Sequence, residues 1–75
     1  GPDSILKKIG EESAELIMAA KDGVAENIVY ESADLIYHLV ALLTFYDISV
    51  DEVLGELQRR EGTSGIDEKK SRAAG

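Results

Sequence analysis

A chain of 75 residues is long enough for one domain, and we expect residues 1–75 to form a single one. Its net charge of −7 argues against a general nucleic-acid binder, which needs a basic surface. It has no cysteine, so no disulfide can stabilise a domain that buries only about 60% of its unfolded surface at this size. A bound metal ion or a partner chain is therefore the expected stabiliser. No secretory signal is visible, and Asp34, His38 and Asp47 interrupt the most apolar stretch, so we expect no membrane span.

The first predicted element is a helix from Ser4 to about Lys21. Asp3 or Ser4 can cap its start, and Asp22-Gly23 is typical of a helix end. At 100° per residue the apolar side chains of this helix form one stripe, and Glu12 lies at the edge of the stripe. The predicted stripe consists of Ile5, Leu6, Ile9, Ser13, Leu16, Ile17 and Ala20.

A second helix is predicted from Val24 or Ala25 to Tyr46, antiparallel to the first because the intervening turn is short. Its carboxy-terminal half is apolar around most of its circumference, which indicates a buried or interface helix. One hairpin cannot cover that much apolar surface, so we expect a helical oligomer. The predicted inner stripe consists of Ile28, Ser32, Leu35, Ile36, Leu39, Leu42 and Leu43.

A third, shorter helix follows. Ser49 and Glu52 have the spacing of a capping box, and Gly62 is a candidate terminator. Residues 66–73 are charged and could form a last short helix or fray. The predicted fold is therefore all-α: a helix hairpin, a third helix and a short tail, assembled as a dimer or larger bundle.

Two acidic clusters stand on the first two helices. Glu11, Glu12 and Glu15 belong to the first helix, and Glu31 and Asp34 belong to the second. Carboxylates three or four residues apart share a helix face and repel by roughly 0.2–0.5 kcal/mol per pair. In the hairpin the two clusters lie at a similar distance from the turn and therefore face each other. A divalent cation between them would remove the repulsion. Magnesium is usually held by a few carboxylates together with phosphates and water, so the pattern predicts a magnesium–phosphate site.

This acidic pattern resembles the signature of the all-α, MazG-like nucleoside triphosphate pyrophosphohydrolases. The flanking runs resemble more specifically the phosphoribosyl-ATP pyrophosphohydrolase family of histidine biosynthesis. These runs are KKIGEE at 7–12, AAK at 19–21, DLIYHL at 34–39 and RRxGxSGxxEK at 59–69. The resemblance implies hydrolysis of phosphoribosyl-ATP to phosphoribosyl-AMP and pyrophosphate by a magnesium-dependent, cytoplasmic homodimer or larger homo-oligomer. It also implies a fused or associated phosphoribosyl-AMP cyclohydrolase as a candidate partner, because the family occurs fused to that enzyme.

The resemblance implies that four carboxylates hold Mg²⁺: Glu12, Glu15, Glu31 and Asp34. Glu11 and Glu12 are the expected catalytic residues, and Glu11 would be a further ligand or would orient the attacking water.

Three basic residues, Lys8, Lys21 and Arg59, are expected to contact substrate phosphates. Lys8 is the best placed of them because it shares the flank of the acidic cluster.

Family members usually carry an amino-terminal helix before the KKxGEE-type run, and this chain starts almost at that run. We therefore expect the domain to lack that helix. Two alternatives stay open at this stage. One is a MazG-like housecleaning enzyme acting on other nucleoside triphosphates, which a comparison of substrates would reveal. The other is a non-catalytic helical dimerisation domain, which would bind magnesium and turn over no nucleotide.

Overall fold

A computed structural model describes residues 1–61 of the chain, and this part is entirely built from three helices and their connections. Helix α1 spans Pro2–Asp22, α2 spans Ala25–Phe45 and α3 spans Val50–Arg59. The prediction of an all-α fold is confirmed. The predicted stop at Gly62 and the predicted short helix at 66–73 lie outside the described residues.

Helix α1 begins two residues earlier than predicted. Gly1 is its N-cap and Pro2 its first residue, so the predicted cap at Asp3 or Ser4 was wrong. Proline is favoured at this position because its fixed φ suits a helix and its missing N–H would have no helical partner. At the other end Gly23 adopts a left-handed conformation, with φ 76°, and its N–H donates to the Ala19 carbonyl at 3.1 Å. The predicted end of the helix is confirmed.

Only Gly23 and Val24 separate α1 from α2, and the two helices pack side by side as the predicted hairpin. The positions of α1 that face α2 recur at alternating spacings of four and three residues, as in a coiled-coil seam. They are Ile5, Ile9, Glu12, Leu16 and Ala19, with Ser13 beside them.

The predicted set of inward-facing residues of α1 was therefore partly wrong. Glu12 lies in the centre of the inner face and is 7% exposed, whereas Leu6 and Ile17 of the predicted stripe are exposed. A single neighbouring helix covers only a narrow seam, and the apolar residues at the margins of a wider stripe stay uncovered. Among residues 1–61, Glu12 and Ala19 alone are buried, so this part of the chain has almost no apolar core of its own.

A Schellman motif ends α2 one residue before the predicted boundary. Asp47 adopts a left-handed conformation, with φ 56°, which aspartate tolerates better than most residues. The N–H of Asp47 donates to the Thr44 carbonyl at 3.1 Å, and the N–H of Ile48 donates to the Leu43 carbonyl at 2.9 Å. The chain then turns directly into α3.

The predicted capping box of α3 is confirmed. The Ser49 hydroxyl accepts from the backbone N–H of Asp51 at 3.1 Å, and the Ser49 N–H donates to the Glu52 carboxylate at 3.0 Å. Nothing within residues 1–61 covers the apolar face of α3: Val50, Val53, Leu54 and Leu57 are all exposed.

Helix α2 leaves much apolar surface uncovered as well. Ile36, Leu39 and Val40 are exposed, which confirms that the hairpin cannot cover this segment. By length and composition alone, the 21-residue α2 meets the test for a membrane span, with a mean hydropathy of 1.4, so the expected absence of a span stays a prediction. Core helices pass the same test. Glu31 and Asp34 lie in its middle, half-buried against α1, and carboxylates are costly in a lipid interior.

The turn at Gly23 gives a stability prediction with an internal control. An added Cβ at Gly23 or at Gly10 would meet no atom within 4 Å, so backbone conformation alone decides the effect. Gly23→Ala should lower the free energy of unfolding by about 1–2 kcal/mol, since alanine is strained at positive φ. Gly10→Ala, inside α1, should raise it by roughly 0.5–1 kcal/mol. Chemical denaturation monitored by circular dichroism measures both, and shifts of the same sign would contradict the described turn.

Candidate metal and phosphate site

The interior of the hairpin holds a carboxylate next to a histidine. The Nδ1 atom of His38, on α2, lies against Glu12 Oε1, on α1. The same Nδ1 is 3.1 Å from the Asp34 carbonyl oxygen. A carbonyl can only accept, so Nδ1 carries a hydrogen and donates it to Asp34. Glu12 Oε1 therefore has a polar neighbour but no well-aligned hydrogen bond, and it is buried without a donor.

Two turns nearer the bend than His38, Glu31 of α2 lies among carboxylates. Partial burial raises the pKa of Glu31 above its usual range, and a side-chain hydrogen bond with Glu15 raises it further. The charges of Glu15, Asp34 and Glu12 act in the same direction. Its Oε2 atom is also buried without a hydrogen-bond donor. The two acidic clusters thus meet across the hairpin at the predicted height.

These four carboxylates fit a hard divalent cation by their chemistry. A buried acceptor without a donor is costly, and carboxylate oxygen is the ligand that Mg²⁺ prefers. Within residues 1–61, however, no three His, Cys, Asp or Glu side chains converge closely enough to hold a metal ion as they stand. Side-chain rotation is needed to complete a ligand shell, and the predicted metal site stays a prediction.

Glu11 lies on the outer side of this cluster. Its carboxylate is exposed and is 3.9 Å from the Lys8 Nζ, a weak solvent-screened pair. Both side chains line a groove of about 470 Å³ along the amino-terminal half of α1. Lys8 is thus placed beside the acidic cluster, as the sequence predicted. The lining residues are Ser4, Ile5, Lys7, Lys8, Glu11 and His38.

The other two predicted phosphate ligands lie elsewhere. Lys21 is in the last turn of α1, about 20 Å along the helix from Lys8. Arg59 is at the end of α3, where its Nε donates to both oxygens of Glu56 at 3.0–3.1 Å. The hydrogen bonds from Arg59 and Arg60 lower the pKa of Glu56 to about 2. The structure therefore brings only Lys8 of the three to the carboxylates.

Two features of this site were underestimated from the sequence. Lys7 lines the groove with Lys8, although adjacent residues on a helix point in different directions. His38 is a hydrogen-bonded, half-buried histidine, and its position between Glu12 and the groove was missed from the sequence. The available signal was the spacing of four residues between Asp34 and His38, which places both on one flank.

Comparison with known proteins identifies the family to which the chain belongs. The family model described as "Phosphoribosyl-ATP pyrophosphohydrolase" matches residues 2–61, which include every carboxylate of the site. The chain belongs to this family. A phosphoribosyl-ATP pyrophosphatase of Dechloromonas aromatica (strain RCB) is 69% identical over 72 residues, which are 96% of this chain and 67% of the relative.

Two further members of the family are more distant. The phosphoribosyl-ATP pyrophosphatase of Pelobacter propionicus is 57% identical over 72 residues, covering 96% of this chain and 67% of the relative. That of Bordetella avium is 57% identical over 74 residues, covering 99% of this chain and 64% of the relative. The chain thus spans about two thirds of the length of the curated relatives it matches. The resemblance read from the sequence is confirmed.

The carboxylate contacts predict an unusual pH dependence of stability in the absence of metal. An unfolded glutamate titrates near 4.5, and the pKa of Glu31 is higher in the folded chain. The folded state therefore binds the proton more tightly, and this group lowers stability as pH rises from about 4.5 through the raised pKa. The penalty therefore grows as pH rises through the raised pKa of Glu31.

Glu31→Gln should remove that penalty. In chelator at pH 7 the variant should melt at a higher temperature than the wild type, and the difference should shrink as pH falls toward 4.5. Glu26→Gln is the matched control, since Glu26 is in the first turn of α2, where a carboxylate favours the helix dipole. Thermal melts of all three proteins across pH measure the effect. A Glu31→Gln variant that melts no higher than Glu26→Gln at pH 7 would contradict the described cluster.

Proposed function

We propose that this chain hydrolyses phosphoribosyl-ATP to phosphoribosyl-AMP and pyrophosphate in histidine biosynthesis, with Mg²⁺ as cofactor. The observation that carries the proposal is the pair of buried carboxylate oxygens without donors, Glu12 Oε1 and Glu31 Oε2, on the facing sides of the hairpin. A stable fold rarely keeps such atoms unless another group satisfies them. The names of relatives up to 69% identical support the choice of substrate.

Each residue has a distinct part in the proposed mechanism. Glu12, Glu15, Glu31 and Asp34 would hold Mg²⁺, which neutralises phosphate charge and lowers the pKa of bound water. Glu11, exposed at the edge of the cluster, would orient the attacking water and accept its proton as the bond to pyrophosphate breaks. Lys8, beside Glu11, would bind substrate phosphate. Lys21 and Arg59 would need another chain or a change of conformation to reach the same phosphates.

Carboxylate variants test this proposal. Glu12→Gln, Glu15→Gln, Glu31→Gln and Asp34→Asn should each lower magnesium-dependent pyrophosphate release from phosphoribosyl-ATP at least about a hundredfold. The same variants should lose magnesium-induced stabilisation, which for the wild type is about 2.7 kcal/mol at a hundred times the dissociation constant. Glu26→Gln, the same change outside the cluster, should keep both properties. Near-normal turnover in two of the four variants would refute the metal site.

Substrate comparison tests the reaction itself. The wild type should release pyrophosphate from phosphoribosyl-ATP with a much higher kcat/KM than from ATP or dATP under equal Mg²⁺. Equal rates on all three nucleotides would favour a housecleaning enzyme, and magnesium binding without any turnover would favour a non-catalytic helical domain.

A homodimer or larger homo-oligomer is the second part of the proposal. Exposed apolar side chains occupy the carboxy-terminal half of α2, and the apolar face of α3 is also uncovered. Contiguous apolar surface of this kind is typical of protein–protein contacts. A second copy of the chain would supply the apolar core that the three helices lack on their own.

Two valines of α2 provide a matched test of assembly. Val40, 40% exposed, lies in the apolar half of the helix, and Val29, 68% exposed, lies near its start. Val40→Glu should raise the dimer dissociation constant at least about a hundredfold, because the new carboxylate would be buried without a partner. Val29→Glu should change it little. Sedimentation at micromolar concentration measures both, and a stable wild-type monomer would contradict the proposal.

We also propose a cytoplasmic location and, as a partner, the cyclohydrolase that acts on the product phosphoribosyl-AMP. Both follow from the reaction, because an enzyme that consumes this product has to share its compartment.

A further inference from the structure

The groove beside α1 is the strongest feature that the metal site does not use. It holds about 470 Å³, within the range of small-ligand sites. It adjoins the carboxylates, because His38 touches Glu12 and Glu11 pairs with Lys8. A substrate whose triphosphate lies at the carboxylates could therefore extend into the groove.

His38 lines the groove, and one of its two ring nitrogens has no partner in the described part of the chain. Its Nδ1 donates to the Asp34 carbonyl, so in the neutral ring the hydrogen is on Nδ1 and Nε2 is an acceptor. Nε2 has no hydrogen bond within residues 1–61. A ligand hydroxyl fits Nε2 in either form of the ring, because a hydroxyl can both donate and accept a hydrogen bond.

The lysines of the groove favour a different ligand group, an anion. Lys7 and Lys8 carry two positive charges, of which the Glu11 carboxylate offsets one at 3.9 Å. Lys7 forms no ion pair in the described part of the chain. An ammonium group with free donors binds phosphate oxygens well. The groove thus combines a site for an anion with a site for a hydroxyl.

We propose that this groove binds a sugar phosphate, with Lys7 on the phosphate and Nε2 of His38 on a sugar hydroxyl. The inference rests on the proposed function in one respect: the sugar phosphate is taken to be the phosphoribosyl group that phosphoribosyl-ATP has and ATP lacks. Lys7 is then a specificity-determining residue, remote from the phosphates that react.

Direct binding tests the groove without reference to catalysis. Ribose 5-phosphate, inorganic phosphate and ribose are titrated separately into the full chain, and binding is followed by amide chemical shifts. Ribose 5-phosphate should bind the wild type most tightly of the three. Lys7→Gln should weaken it about tenfold, whereas Arg60→Gln, the loss of one positive charge at the C-cap of α3, should not. Equal affinities of the Lys7→Gln and Arg60→Gln variants for ribose 5-phosphate would overturn the proposal, and so would equal wild-type affinities for ribose 5-phosphate and inorganic phosphate.

Kinetics with phosphoribosyl-ATP test the link to substrate choice. Lys7→Gln should raise KM about tenfold and leave kcat nearly unchanged, because a remote contact of this kind binds ground state and transition state alike. Unchanged KM, or a loss confined to kcat, would overturn the specificity role. If the wild type does not act on phosphoribosyl-ATP, the proposed function fails, and the ribose 5-phosphate titration still decides the groove.

Discussion

The burial of Glu12 in a two-helix interface is the constraint on which the other features of this chain depend. The carboxylate is 7% exposed and occupies a seam position that an apolar residue would otherwise fill. Removing an ionised carboxylate from water costs several kcal/mol unless other groups compensate it. The His38 ring compensates only partly, since its hydrogen is directed to the Asp34 carbonyl. The hairpin therefore carries an electrostatic cost at its centre, and folding has to recover that cost elsewhere.

The distribution of apolar residues is the counterpart of this cost. In an ordinary small domain the interior is apolar and the carboxylates lie in water. Here the seam between α1 and α2 contains Glu12 and Ser13, while large side chains such as Ile36 and Leu54 are exposed. The polar seam and the exposed apolar faces complement each other. Because carboxylates occupy the inside of the hairpin, apolar side chains can pack only on its outer faces. A cation would neutralise the carboxylates inside the hairpin, and another protein chain would cover the apolar side chains outside it. Metal binding and assembly are therefore proposed together.

Much of the local structure could be predicted from the sequence, since it depends on neighbouring residues. The capping box at Ser49 and the left-handed glycine at 23 are signals of this kind. The height at which Glu15 meets Glu31 followed from the short turn alone. The orientation of α1 about its axis could not be predicted fully, because it depends on how much of an apolar stripe one neighbour covers. Hydrophobicity predicted that Leu6 and Ile17 face α2. In the structure both are exposed, and Glu12 lies in the narrow seam instead. Lys7 was missed because the groove it lines is formed by α1 together with His38 of α2, and the pattern of one helix does not show such a groove.

The two-residue connection between α1 and α2 has a consequence for how the site forms. Every proposed metal ligand lies between Glu12 and Asp34, so the loop that must close to bring them together is short. The entropy of closing such a loop is small, and structures dominated by contacts of low sequence separation fold quickly. A loop this short favours early contact between the repelling carboxylates, so we expect a monomeric hairpin to be the first species that can bind a cation. Metal capture would then precede assembly, and cation concentration would set the rate at which assembly-competent chains accumulate.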